Sequence, residues 1–299
     1  MGKKGKKSRA GKLTRKDISK RLDSLVEKLE EELNNADIFA PFPSMEDCPL
    51  CFLPLSRVPA MSKYQACCGK RLCKGCSREQ HEILLKAYLE KNAGKKIDPL
   101  AVLPQTCPFC RQPLVSSDDE YVRHLEVRML QNDPIAIFSM GNALLYEDLG
   151  MSKNELKAID CFIRAAELGS AEACCALAEC FEAGTTLSDD GESSAFFFKA
   201  GAIRGDISSR SLFGLHEYRI GNHEEGIRHW KIAAEAGFQP ALDILKKIFL
   251  ADGQEPGKEF ITKEYLDKAF RICHEAQKEV ESEERKKHCD VEKYDDYRC

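Results

Sequence analysis

The side chains best able to do chemistry in this 299-residue chain are cysteines, and eight of its fifteen fall between Cys48 and Cys110. They come as four pairs: Cys48 and Cys51 around Pro49-Leu50, Cys67 beside Cys68, Cys73 and Cys76 around Lys74-Gly75, and Cys107 and Cys110 around Pro108-Phe109. A C-x-x-C turn, the form of three of the pairs, supplies two corners of a tetrahedral thiolate site from one tight loop, so four pairs read as sites for two zinc ions. The competing readings are a disulfide framework and a redox dithiol. The N-terminus shows no apolar core of a secretory signal, and redox motifs do not come as a row of four pairs. All-cysteine sites are closed and keep no open position for water, which disfavours a metal-dependent hydrolase.

The order of the pairs says more. Fifteen residues separate Cys51 from Cys67, and thirty separate Cys76 from Cys107. This arrangement resembles the RING-type zinc finger. The resemblance implies a cross-brace: Cys48, Cys51, Cys73 and Cys76 on one zinc, Cys107 and Cys110 on the other with the pair at 67 and 68. A common RING core reads Cys-Gly-His-x-x-Cys-x-x-Cys. Here Cys68-Gly69-Lys70-Arg71-Leu72-Cys73 carries lysine where the histidine would ligate, and an ammonium has no lone pair for a metal. Cys67 restores the count to eight; His81 is the other candidate. Adjacent side chains usually point apart, so using both Cys67 and Cys68 demands a sharp backbone turn, for which Gly69 is suited.

By the same resemblance the chain is a RING-type E3 ubiquitin ligase. Such a ligase supplies no nucleophile. It binds a ubiquitin-charged conjugating enzyme and holds the thioester in a reactive orientation. The positions that carry this in the family are filled here by Leu50 within the first C-x-x-C, Pro108 after the seventh ligand and Arg111 after the eighth. Arginine suits that last position because its planar fork bonds two acceptors at once. The alternative is a non-catalytic zinc-binding scaffold for protein–protein contacts, which the lysine at 70 keeps open.

Several elements must position these cysteines. Residues 79–92 read as a helix with Ile83, Leu84, Ala87 and Tyr88 on one side, filling the long gap before Cys107, and Gly94-Lys95-Lys96 ends it. Upstream, Thr14-Arg15-Lys16-Asp17 forms a capping box. Ile18, Leu22, Leu25 and Leu29 then repeat at helical spacing, with Leu33 close behind. That stripe suits a short coiled coil or packing on the chain's own domains; three heptads are marginal for association, which favours the second. Pro41-Phe42-Pro43 reads as a linker into the zinc module.

Beyond the module the sequence repeats. Met140-Gly141, Leu177-Ala178 and Gly214-Leu215 follow at intervals of 37 residues. A second landmark, Ala166-Glu167-Leu168-Gly169, returns as Ala202-Ile203-Arg204-Gly205 and Ala234-Glu235-Ala236-Gly237. A period in the high thirties with two helices per repeat means an α-solenoid. The pattern resembles Sel1-like repeats, relatives of the tetratricopeptide repeat, counted here at 133–169, 170–205 and 206–238 with a capping helix near 240–250. A last amphipathic helix shows Tyr265, Leu266, Ala269, Phe270 and Cys273 on one face. The fold class is therefore an all-α solenoid of about three repeats plus a small two-zinc cross-brace domain. Its parts are 1–43 (basic tail and amphipathic helix), 44–117 (RING-like), 118–250 (repeats) and 251–299 (cap and charged tail).

Charged residues make up 31% and hydrophobic ones 43%, ordinary for a soluble domain protein. No apolar run is long enough for a membrane span. Reduced thiols fit a cytoplasmic or nuclear setting. The net charge of -4 conceals a tail, residues 1–21, with ten bases and one acid, against thirty-five bases and forty-eight acids in the rest. The tail is either a solubilising segment, an import signal or a loose polyanion contact; elsewhere the acidic surface disfavours nucleic acid. Cys161, Cys174, Cys175 and Cys180 lie at helical positions without C-x-x-C spacing and read as packed thiols. His216, His223 and His229 form no catalytic set, and Cys289 and Cys299 have no evident role. The expected partners are a ubiquitin-conjugating enzyme on the zinc module and a substrate or adaptor protein on the repeats.

Overall fold

The computed structural model describes residues 13–57, 61–91, 106–113, 117–184, 191–253 and 255–280. The basic run at 3–9, Gly94-Lys95-Lys96, Cys289 and Cys299 lie outside them. Helix α1 spans Arg15–Asn35. Thr14 accepts from the Asp17 N–H, and Asp17 accepts in return from the Thr14 N–H at 2.9 Å, so two orphan donors of the first turn are satisfied together. Ile18, Leu22, Leu25 and Leu29 are all buried. They join a core with Ile159, Phe162 and Phe197 of the chain's own helices, which is the intramolecular choice. Arg21 pairs with Asp160 and Glu167, and Arg204 makes a two-pronged pair with Glu32 at 2.7 and 2.9 Å.

The segment after α1 is a docked strap. Phe39 stacks on His229 with ring centroids 4.8 Å apart, and the Arg228 guanidinium lies over the Phe39 ring, 3.8 Å from its centre. Phe42 sits between Arg57 and Arg210, each 4.7 Å from the ring centre. Arg210 is 1% exposed and donates to the Ile38 and Ala202 carbonyls at 2.7 and 2.9 Å. Burial and the nearby Arg57 charge bring its pKa down to about 10. A buried guanidinium requires partners of this kind, so Pro41-Phe42-Pro43 is part of the packed body.

The cysteine-rich module contains β1 (Ser62–Gln65), β2 (Lys70–Cys73) and α2 (Lys74–Lys91). The strands form an antiparallel hairpin with Ser62 opposite Cys73 and Gln65 opposite Lys70. The chain is therefore mostly helical, and the expectation of an all-α fold is corrected by this two-stranded sheet. Four-residue strands are too short for alternation to show in a sequence. Helix α2 starts five residues before the expected 79, directly after Cys73.

Helix α3 (Asp118–Leu130) leads into α4 (Pro134–Tyr146), α5 (Glu155–Glu167), α6 (Ala171–Glu182), α7 (Glu192–Arg204), α8 (Ile207–Arg219), α9 (His223–Glu235) and α10 (Gln239–Leu250). Neighbours in this series pack on one another, most extensively as the pairs α4 with α5, α6 with α7 and α8 with α9. Asp133, Asn154, Ser170 and Asp206 each cap a helix by accepting from first-turn N–H groups. The second sequence landmark ends at Gly169, Gly205 and Gly237, which take φ of 93, 103 and 91°. That left-handed step closes the second helix of each pair and turns the chain into the next.

A short 3-10 turn at Lys258–Phe260 precedes α11 (Lys263–Val280). Leu266, Ala269 and Cys273 bury against α9 and α10. Phe270 departs from the expected apolar face: it is 50% exposed beneath the Lys246 ammonium. Among the described residues no helix is long and apolar enough to cross a membrane.

Candidate metal centres

The first and last cysteine pairs are built alike. The Cys48 N–H donates to the Leu53 carbonyl and the Phe52 N–H to the Cys48 carbonyl, both at 2.8 Å. The Cys107 N–H donates to Gln112 at 2.8 Å and the Arg111 N–H to Cys107 at 2.9 Å. A bridge closes each loop, Asp47 opposite Pro54 and Thr106 opposite Pro113. Phe52 and Arg111 both take φ of 58°, a left-handed step costing an L-residue roughly 1–2 kcal/mol and held by these loop bonds. The chain thus writes x-Cys-Pro-x-Cys-x-x-Pro twice. Phe52 is the counterpart of Arg111, an equivalence that sequence reasoning missed although aligning the two octapeptides would have found it.

The middle pairs sit at the two ends of strand β2. Cys67 and Cys68 occupy the hairpin turn, where the Gln65 carbonyl accepts from the Cys68 and Gly69 N–H groups at 3.1 and 2.8 Å. Gly69 takes φ of 74°, so the sharp turn that adjacent ligands demand is present. Cys73 ends β2, and Cys76 lies in the first turn of α2 with its N–H directed at the Cys73 sulfur, 3.3 Å away. The Cys73 N–H points in turn at the Cys48 sulfur, 3.5 Å away.

Folding brings the pairs together alternately. Cys48, Cys51, Cys73 and Cys76 form one group, and Cys67, Cys68, Cys107 and Cys110 form another. Within each, all four sulfurs lie within 4.8 Å of one another. First joins third, second joins fourth, and each group can hold a metal ion. Cys67 and Cys68 both belong to the second group, whereas His81 belongs to neither. Lys70 stands exposed on β2.

The electrostatics favour a cation. Burial would raise the Cys48 thiol, but the N–H groups of Cys73, Cys51 and Leu50 outweigh it and lower the pKa to about 7. Cys107 is likewise lowered against burial by the N–H groups of Cys110 and Phe109. Cys67, Cys68 and Cys76 go the other way, through burial first and then through the thiols crowded beside them. Cys48 and Cys107 are thus the thiols that backbone N–H groups favour as thiolates, while Cys67, Cys68 and Cys76 are held protonated by burial and by adjacent thiols. A bound cation opposes that second effect.

The three proposed enzyme contacts lie on the two matched loops. Leu50 is 40% exposed and Phe52 beside it 76%. Pro108 is half-buried and Arg111 exposed. In the repeats Cys174, Cys175 and Cys180 are packed thiols and Cys161 is half-buried, and burial raises Cys174 to about 11 and Cys180 to about 12. His229 is 1% exposed between Phe39 and Phe213. Burial and the charges of Arg210 and Arg228 push it down to about 3, so it is a neutral packing residue.

The model of the Sel1 repeat matches residues 134–170, 171–206 and 211–238. This segment carries three Sel1 repeats. In the structure they are α4–α5, α6–α7 and α8–α9, and repeats of this type generally mediate protein–protein contacts. Among solved structures, a Sel1 repeat protein from Oxalobacter formigenes matches at 24% identity with a TM-score of 0.46, covering 53% of this chain and 64% of that one. The protein c5321, a protective antigen of uropathogenic Escherichia coli displaying an SLR fold, matches at 20% identity with a TM-score of 0.43, covering 52% of this chain and 33% of that one. The chain thus spans less than two thirds of the length of either. No curated protein matches significantly.

Proposed function

We propose that each cysteine group holds a zinc ion, that the module is of RING type, and that the protein is an E3 ubiquitin ligase whose Sel1 repeats bind a substrate or adaptor. The alternate pairing of the four cysteine pairs is the observation that carries this reading. The fit to zinc rests on sulfur geometry. Zinc–sulfur bonds of about 2.3 Å in a tetrahedron place sulfurs about 3.8 Å apart. Cys51 and Cys73 stand 3.9 Å apart and Cys68 and Cys107 3.6 Å. Zinc supplies no reaction step here; when bound it ties loops and hairpin into one domain.

The chain's own residues do the rest. Leu50 and Phe52 offer exposed apolar surface for a conjugating enzyme. Pro108 stiffens the second loop, and Arg111 at its tip presents a planar fork to two acceptors, one on each protein it would hold together. That is catalysis by orientation. A cytoplasmic or nuclear setting, where thiols stay reduced, suits such a site. The competing reading, a zinc-binding scaffold, draws on Lys70 standing where a ligand would be. Single-turnover discharge of ubiquitin from a panel of charged conjugating enzymes separates the two. Wild type is expected to accelerate discharge, and Arg111→Ala to lose about tenfold or more of it while retaining both zincs. Absence of discharge with every enzyme, in protein holding two zincs, refutes the ligase and leaves the scaffold.

A further inference from the structure

The second cysteine group borders the helical body, and one residue of that body meets it directly. The hairpin turn carrying Cys67 and Cys68 ends at Gly69. A Cβ at Gly69 would overlap the guanidinium of Arg128, on α3. That guanidinium therefore lies against the backbone immediately after Cys68. Arg128 is held there by three hydrogen bonds: Nε and Nη2 donate to Asp133 Oδ2 at 2.9 and 2.7 Å, and Nη1 donates to Gln131 Oε1 at 2.8 Å.

The other end of the turn is tied to the same carboxylate. The hydroxyl of Tyr64, on β1, donates to Asp133 Oδ2 at 2.7 Å. The second oxygen of Asp133 accepts from the Ile135 and Ala136 N–H groups at 3.1 and 3.4 Å, capping α4, the first helix of the first Sel1 repeat. The turn that must present two adjacent cysteines is thus clamped by Tyr64 before it and by Arg128 after it, both anchored on Asp133. The first group is tied within its own module, by the Cys73 and Cys76 N–H bonds to sulfur.

We propose that Arg128 is a positioning residue of the second metal group, and that through Asp133 it couples occupancy of that group to the start of the first Sel1 repeat. The clamp fixes a turn whose adjacent ligands would otherwise diverge. Arg128 is paired with the Asp133 carboxylate, so it acts by holding the turn rather than by net charge. Coupling of this kind is reciprocal: whatever Arg128 adds to metal affinity, the metal adds to the order of the α3–α4 junction. The inference rests on the zinc reading above.

The test is zinc release from the loaded full chain to a chelating dye. In Arg128→Ala one of the two zincs is expected to leave about 10–100-fold faster, the scale of a lost partner outside the ligand shell, and the other at the wild-type rate. Tyr64→Phe, which keeps the arginine, is expected to accelerate the same zinc by less. Leu245→Ala in α10, equally disruptive to the helical body but remote, is expected to leave both rates unchanged. Hydrogen exchange on wild type with and without zinc is expected to show lost protection in α3 and the first turn of α4, with α9–α11 unaffected. Wild-type release from both Arg128→Ala and Tyr64→Phe overturns the role of Arg128 and leaves the zinc reading standing. Equal acceleration of both zincs in Arg128→Ala and Leu245→Ala overturns it as well. Wild type that holds no zinc removes both.

Discussion

The two cysteine groups offer the same four donors but are supported in different ways. In the first, Cys48, Cys73 and Cys76 are buried in a small core with Leu55 and Leu72, and strand β2 running into α2 supplies two of the four cysteines. In the second, only Cys107 is buried, two cysteines sit side by side in a hairpin turn, and Arg128 and Tyr64 tie that turn to the helical body. On the proposed reading, a C-x-x-C followed by a helix organises itself, whereas adjacent cysteines need an outside brace.

The largest effect expected from that contrast is at the first group. Structural zinc contributes on the order of 10 kcal/mol to small domains. Cys73→Ser, at a position 1% exposed, is expected to drop the zinc count from two to at most one by native mass spectrometry. It should make residues 44–113 protease-sensitive while the repeats stay resistant. The converse comes next. Leu25→Ala in α1, also 1% exposed, is expected to cost the helical body about 2–5 kcal/mol in chemical denaturation with both zincs retained; loss of zinc there would dissolve the distinction between regions.

A smaller effect is expected at the junction. Burial pushes the Asp133 carboxyl upward, but the bonds from Tyr64 and Arg128 outweigh it and hold it below the usual carboxylate range. A carboxyl lowered on folding stabilises above its unfolded value and loses that contribution as pH falls through its folded value. Asp133→Asn is therefore expected to cost about 1 kcal/mol near neutral pH, and the gap from wild type should close below about pH 4. Urea denaturation across that range measures it; a pH-independent gap would mean that charge plays no part in the clamp.

What could be read from the residues follows from the range of the physics. The α1 stripe and its capping box are local patterns, and both α1 and its burial came out as expected. So did the repeat period. The eight cysteines stand out in the sequence by type and spacing, and folding gathers them into two groups that could each hold a metal ion. The β1–β2 hairpin was hidden by the shortness of its strands. Helix α3 was hidden because Leu125 is its only fully buried residue, too little for an apolar stripe. The strap at Phe39 and Phe42 and the clamp at Arg128 depend on partners far away in the chain: Ile38 meets Arg210, and Tyr64 meets Asp133. No local pattern encodes such contacts. The choice between Cys67 and His81 turned on the hairpin, whose turn gathers both Cys67 and Cys68 with Cys107 and Cys110 and leaves His81 in neither group.

Zinc analysis and X-ray absorption at the zinc edge on the purified full chain would weigh the whole account. Two zincs per chain are expected, each with four sulfurs at about 2.3 Å and no nitrogen in the shell. A single zinc, or one nitrogen ligand averaged over the two sites, would contradict the pairing of Cys67 and Cys68 with Cys107 and Cys110.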